Sequence, residues 1–256
     1  MLRLVRLALA VILLLLGVGG TVAGGAAPTV IVGHIDGPIG PITARYVDRV
    51  IADGESSGAA AIVFVINTPG GLIDATYRIT TAFLNARVPV LTFVGPSGAR
   101  AASAGTFITL AGNLAAMAPA TNIGAAHPVD SSGGDIQGDL RLKAENDAAA
   151  QITKIARARG RNIQWAEDAV RKSVSIRDDE AIRIGVVDLG ARDVADLLAK
   201  VDGREVSLGD GKVRLATRDA VIVPDDLNPF ETLLRFVVDP QIALLLLHPR
   251  DLRAHL

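Results

Sequence analysis

Apolar and polar positions fall into blocks along the chain, and the period of the pattern changes from block to block. Thr29–Ile35 is a β-branched run that reads as a first strand. Ile39–Ala52 then places apolar residues at helical spacing. Ala60–Ile66, A-A-I-V-F-V-I, is continuously apolar, as expected of a strand covered on both faces. It ends in the turn signal N67-T-P-G-G71, after which Leu72–Asn85 reads as a helix. Val88–Val94 is a third strand, followed by a glycine-containing loop at 95–98 and a helix from about Ala102. Leu114–Ala118 and Asn122–Gly124 are short strand candidates, and Asp130–Gly138 is a polar, glycine-rich loop.

Beyond that loop, Leu140–Ala158 is a long helix ending at Gly160, and a second helix covers Ile163–Lys172. Ser175–Ala181 fits a capped helix start, and Val186–Leu189 a short strand. Gly203–Val223 alternates apolar and polar residues around G209-D-G-K212, which predicts a small β-hairpin appendage. Strands and helices in alternation give an α/β fold class: mostly parallel β-sheet with helical crossovers, and a small β appendage near the C-terminus.

The two ends follow another pattern. Arg3 and Arg6 precede the apolar run Leu7–Val18, and small residues follow in 21–27. No charged side chain stands between Arg6 and Asp36. Residues 1–27 therefore read as an export signal or an N-terminal anchor. Either reading puts the remaining chain outside the cytoplasm. At the far end, Asn228–Leu247 builds toward an apolar segment interrupted by Asp239 and Pro240, then gives way to H248-P-R-D-L-R-A-H-L256. Residues 225–256 read as the truncated start of a membrane region, with a C-terminal helix packed on the domain as the alternative.

Composition removes whole classes of chemistry. With 256 residues and 50% hydrophobic content, the chain holds one substantial core. A net charge of -1 with 4% aromatics gives no footprint for nucleic acid. The absence of cysteine rules out thiolate nucleophiles, disulfides and zinc–thiolate sites. The expectation is an activity with no metal and no cofactor.

Two loops at the ends of neighbouring strands carry the candidate chemistry: N67-T-P-G-G-L72 and G95-P-S-G-A-R-A-A-S-A-G105. Ser103 is set among small residues at a helix start, where the helix dipole favours developing negative charge. Gly70, Gly71 and Ala104 could aim N–H groups at one oxygen, the requirement for holding a tetrahedral oxyanion. Each motif also has a plain structural reading, a Gly-Gly turn and a tight helix contact. Two bases are available. His127 lies 24 residues after Ser103, and Lys143 lies 40 residues after it at the start of the long helix. A lysine accepts the proton only where burial or a nearby cation lowers its pKa toward neutrality. His34 reads as a core or edge residue, and His248 and His255 belong to the tail.

Taken together, N67-T-P-G-G-L-I-D74, A102-S-A-G-T106, N122-I-G-A-A-H127 and the block beginning K143-A-E-N-D resemble the NfeD-type membrane-bound serine proteases of the ClpP/crotonase-fold superfamily. So do G160-R-N-I-Q-W-A-E-D-A-V170 and E180-A-I-R-I-G-V-V-D188. The resemblance runs from about residue 29 to 245 and implies a protease domain over 28–200, with the hairpin appendage at 201–224. It implies a Ser-Lys dyad in which Ser103 is the nucleophile and Lys143 the base, with Gly70 or Gly71 and Ala104 supplying oxyanion donors. His127 falls near the position of the catalytic histidine in ClpP and is the alternative base. The family further implies a stomatin-like membrane protein as substrate, cut within its apolar segments, and pairing of catalytic domains into a homodimer at the membrane. Long members continue into several transmembrane helices and a β-barrel, from which this sequence departs. Two other functions share these motifs: a crotonase-type acyl-CoA enzyme, and a catalytically degenerate scaffold for stomatin-like partners.

Overall fold

The computed structural model describes residues 27–130, 134 and 136–237. The expected signal or anchor at 1–27, all but its last residue, and the apolar run after Val237 lie outside these residues. A six-stranded, fully parallel sheet is at the centre, in the order β11-β1-β2-β3-β5-β8. Its strands are β1 (Thr29–Asp36), β2 (Ala61–Asn67), β3 (Val90–Val94), β5 (Leu114–Met117), β8 (Leu189–Gly190) and β11 (Val221–Pro224). A second sheet of three short strands, β4 (Arg100–Ala102), β6 (Asn122–Gly124) and β7 (Ser175–Arg177), stands beside the C-terminal ends of β2 and β3.

The apolar run of β2 is buried on both faces because both faces are covered. On one side Ile62, Phe64 and Ile66 meet α1 (Pro41–Ser57), α2 (Ile73–Asn85), α3 (Ala104–Ala111) and α4 (Gly138–Ala158). Phe64 stacks on Phe83 at 5.0 Å between ring centroids and meets Tyr46 edge-on at 6.5 Å. On the other side Ala61, Val63 and Val65 meet Leu197, Leu198 and Val201 of α7 (Val194–Val201), with Val206 and Leu215. The remaining helices are α5 (Ile163–Arg171), α6 (Asp178–Arg183) and α8 (Pro229–Val237).

Three elements depart from the pattern-based expectation. Residues 100–102 form a strand rather than the start of a helix, because Thr68 captures them: Thr68 N–H donates to the Arg100 carbonyl at 2.8 Å, and Ala102 N–H donates to the Thr68 carbonyl at 3.1 Å. Ser175–Arg177 likewise pairs with β6 before α6 begins. In the 203–223 segment, only β9 (Glu205–Leu208) and β10 (Gly211–Arg214) form the antiparallel hairpin, while β11 joins the main sheet against β1. The free edge of β1 offers a full ladder, and Val206 and Leu215 are drawn into the second core.

Candidate active site

The seam between the two sheets brings the two glycine-containing loops together. The Thr68–Ala101 bridge aligns the turn after β2 with the end of β4. Thr68 Oγ1 then braces the turn by accepting from the Gly70 N–H at 3.1 Å. Gly70 has φ +124°, open to glycine at little cost. A Cβ at Gly70 would stand 2.7 Å from Ser103 Cβ and 3.1 Å from Ser103 Oγ. At Gly71, a Cβ would stand 2.1 Å from the Ile39 carbonyl oxygen. At Gly105, one would stand 2.6 Å from Thr68 Cγ2. The small residues are therefore close-packing requirements, and Gly70 is the one that packs against the serine.

Ser103 is the N-cap of α3 with φ 51° and ψ -115°. A positive φ at a non-glycine residue costs roughly 1–3 kcal/mol and persists only where the surroundings impose it. They do so here. Ser103 N–H donates to the Gly124 carbonyl at 2.9 Å, and the Ser103 carbonyl accepts from Thr106 N–H at 2.9 Å. The buried Thr106 hydroxyl lies 3.0 Å from both the Ala101 and Gly124 carbonyls. Ala104 is the first helical residue, so its N–H has no acceptor inside the helix.

The direction of α4 decides where Lys143 stands. Just past its C-terminus, Arg159 Nε donates to the Ala111 carbonyl at 2.8 Å, and its Nη2 donates to the Phe83 carbonyl at 3.1 Å. The C-terminal ends of α2, α3 and α4 thus lie together. Upstream, the Tyr77 hydroxyl donates to Asp147 Oδ2 at 3.0 Å, and the Tyr77 ring lies 6.1 Å from that of Phe107. The three helices therefore run side by side in one direction. Ile73, Ser103 and Lys143 each precede this Tyr77–Phe107–Asp147 contact by one turn, about 6 Å of rise. Lys143 is at the Ser103 end of the layer and is exposed to solvent. The large apolar side chains around this end are exposed too: Leu72 at 55%, Ile73 at 42%, Leu140 at 69% and Leu142 at 53%.

His127 lies three residues beyond Gly124, whose carbonyl holds the Ser103 amide. Its Nδ1 is 3.0 Å from the Val170 carbonyl on α5. A carbonyl only accepts, so Nδ1 carries the proton and Nε2 is the basic nitrogen. His34 is exposed, with Nδ1 2.7 Å from Asp226 Oδ1. His248 and His255 fall outside the described residues. Among the described residues, no group of His, Cys, Asp or Glu is placed to hold a metal.

Residues that the pattern did not single out hold the far end of α3. Buried Arg161 donates through Nη1 to the carbonyls of Leu110 and Gly112 and through Nη2 to Asp188 at 2.7 Å. Burial lowers its pKa, against the opposing pull of Asp188. Burial, helped by Arg161, also brings Arg159 down to about 10. Two guanidiniums thus satisfy the C-terminal carbonyls of the helix whose other end carries Ser103. Tyr77 was also missed, although it lies at helical spacing from the Gly-Gly turn. Burial, reinforced by Asp147, pushes its phenol up.

Comparison with known proteins gives this arrangement a context. A membrane-bound protease of Pyrococcus horikoshii, PH1510, is 36% identical over 222 residues, which is 85% of this chain and 50% of that protein. The chain spans about half the length of the curated relatives it matches. Among solved structures, a lysine-to-alanine variant of the 1510-N membrane-bound stomatin-specific protease, in complex with a substrate peptide, superposes with a TM-score of 0.77. That match has 33% identity and covers 83% of this chain and 99% of the other. A serine-to-alanine variant of 1510-N matches with a TM-score of 0.73 and 34% identity, covering 80% of this chain and all of the other. The NfeD1b N-terminal domain family matches residues 30–206, and the chain belongs to that family.

Proposed function

We propose that this protein is a serine endopeptidase in which Ser103 attacks the peptide carbonyl and Lys143 accepts its proton. The Gly71 and Ala104 amides hold the oxyanion, since Gly70 N–H is already given to Thr68. The acyl-enzyme formed on Ser103 is then released by water, with Lys143 returning and relaying protons. The observation that carries the proposal is the strained φ of Ser103, held directly against Gly70. Further support comes from the relative, of which a serine and a lysine variant were solved, the latter with a substrate peptide.

The exposed position of Lys143 leaves its desolvation to the substrate. An apolar peptide laid across Leu72, Ile73, Leu140 and Leu142 would cover the amine while burying its own side chains. This favours apolar segments as substrates, and the relative's specificity makes a stomatin-like membrane protein the first candidate. We place the domain at the extracytoplasmic face of the membrane, carried there by the N-terminal segment, and acting as a homodimer.

The test is cleavage of a synthetic apolar stomatin-like tail by the full chain. Ser103→Ala is expected to slow it by roughly a thousand-fold or more. Cleavage at near the wild-type rate would reject the serine. A scaffold that binds stomatin-like partners without cutting them is the second reading, favoured by the exposure of Lys143, and would show as peptide binding with no cleavage by the wild type.

A further inference from the structure

Helix α8 is attached to the domain by its polar side. Arg49 of α1 donates through Nε and Nη2 to both Glu231 oxygens at 3.0 Å and also pairs with Asp225. Glu231 Oε2 accepts from Asn228 N–H at 2.9 Å, and Arg235 Nη2 donates to the Asp36 carbonyl at 2.7 Å. Glu231 and Arg235 are four residues apart and share one face. The opposite face carries Phe230, Leu233 and Val237, exposed at 59%, 58% and 46%. This polarity is the reverse of an ordinary surface helix, whose apolar stripe faces the core. The clamp fixes it: rotating the stripe inward would leave buried Glu231 without its cation.

A second exposed apolar run precedes the helix. On the edge strand β11, Val221, Ile222 and Val223 are exposed at 53%, 44% and 41%. In sequence, two apolar runs lie beyond Pro28 and Val237, the residues at which the described chain leaves this side. One, Leu7–Val18, leads to Pro28, whose carbonyl accepts from Val221 N–H at 2.8 Å. The other, Ile242–Leu247, follows Val237 and is itself followed by His248, Arg250, Arg253 and His255 against one acid, Asp251. Apolar segments ending in basic residues suit the boundary between acyl chains and anionic headgroups.

We propose that the β11–α8 side of the domain rests on a lipid bilayer, with Phe230, Leu233 and Val237 entering the headgroup–acyl boundary and α8 lying in the membrane plane. This rests on the membrane localisation proposed above and adds the contact surface. Arg235 ties the seated helix to Asp36, whose side chain accepts from Asn67 Nδ2 at 3.1 Å beside the Thr68–Gly71 turn. The membrane contact would therefore fix the orientation of the candidate site relative to the bilayer.

A cysteine-free chain makes the test clean. Leu233→Cys and, as a control just past the end of α5, Lys172→Cys are labelled with an environment-sensitive fluorophore in the full chain and added to phosphatidylcholine–phosphatidylglycerol vesicles. Flotation reports whether the chain binds the membrane at all, and quenching by brominated lipid reports contact depth. The proposal predicts flotation of both variants, at least about threefold stronger quenching at 233 than at 172, and insensitivity of the 233 label to aqueous iodide. Flotation with equal, weak quenching at both positions overturns the contact surface while leaving membrane association intact. Absence of flotation overturns both. Iodide protection of the 233 label without vesicles, accompanied by energy transfer between copies, assigns the face to a second copy and overturns the lipid proposal.

Discussion

The nucleophile side and the base side of the candidate site are built differently. Around Ser103 the restraints are dense: the backbone is fixed by Gly124 and Thr106, the helix start is pressed against Thr68, and Gly70 leaves no room for a side chain. Around Lys143 the first two turns of α4 expose Leu140, Leu142 and the lysine itself, and lateral hydrogen bonds hold the helix from Glu145 and Asn146, to Arg171, and at Asp147, to Tyr77. On the proposed function, one half of the site is preset, and the other is held at the same end of the helix layer with its dry environment left to the bound peptide.

Substitutions on the two sides should separate accordingly. The largest effect is expected at Gly70→Ala, where the new methyl would displace Ser103 and must also adopt φ +124°. Peptide cleavage should fall at least about a hundred-fold with a stability loss of about 1–3 kcal/mol, read from urea unfolding beside the activity assay. Activity within threefold of wild type would show that the seam tolerates movement and weaken the view of a preset nucleophile.

Next in size is Arg161→Ala. Removing a buried guanidinium strands the carbonyls of Leu110 and Gly112 and the partner Asp188, at a cost of about 3 kcal/mol in unfolding free energy. A loss below about 1 kcal/mol would mean that water replaces it. Tyr77→Phe, which cuts the hydrogen bond between α2 and α4 nearest Lys143, should cost about 1 kcal/mol or less. It should nevertheless lower kcat several-fold with KM nearly unchanged, because it loosens the helix carrying Lys143. Equal effects on kcat and KM would point to substrate binding instead.

The smallest effect concerns α8 and pH. Burial alone would raise the Glu231 carboxyl, but hydrogen bonds from Arg49 and the Asn228 amide, with the Arg49 charge, bring it below its ordinary value of 4.5. An acid depressed in the folded state adds stability above its free value and loses it as pH falls through the folded one. The melting temperature of the wild type should exceed that of Glu231→Gln at neutral pH, and the gap should close as pH falls below the ordinary carboxyl value of 4.5 and through the depressed folded one. A gap independent of pH would leave the clamp without an ionic part.

How much of this was legible follows the same division. The Ser103–Gly70 seam could be read from sequence because each half is local: a buried strand, then a turn that only glycine fits, and a strand, then a serine among small residues. The strand at 100–102 could not, because its pairing with Thr68 overrides the helical look of Ala101–Gly105. The setting of Lys143 was illegible for a deeper reason. It depends on contacts of Arg159 with Ala111 and Phe83 and of Tyr77 with Asp147, 48 to 76 residues apart. Alternation predicted strands in 203–223 but gave no sign that β11 would pair with β1 rather than with the hairpin. The inverted polarity of α8 depends on Arg49, some 180 residues upstream.

The central claim is that the amine of Lys143, and not the imidazole of His127, activates the hydroxyl of Ser103. Its most direct test is the rate of Ser103 phosphonylation by a fluorophosphonate, with loss of fluoride, followed by mass spectrometry in the wild type, Lys143→Ala and His127→Ala. The account predicts modification at Ser103, slowed by about a hundred-fold or more in Lys143→Ala and by less than about threefold in His127→Ala. An unchanged rate in Lys143→Ala together with a collapse in His127→Ala would contradict it.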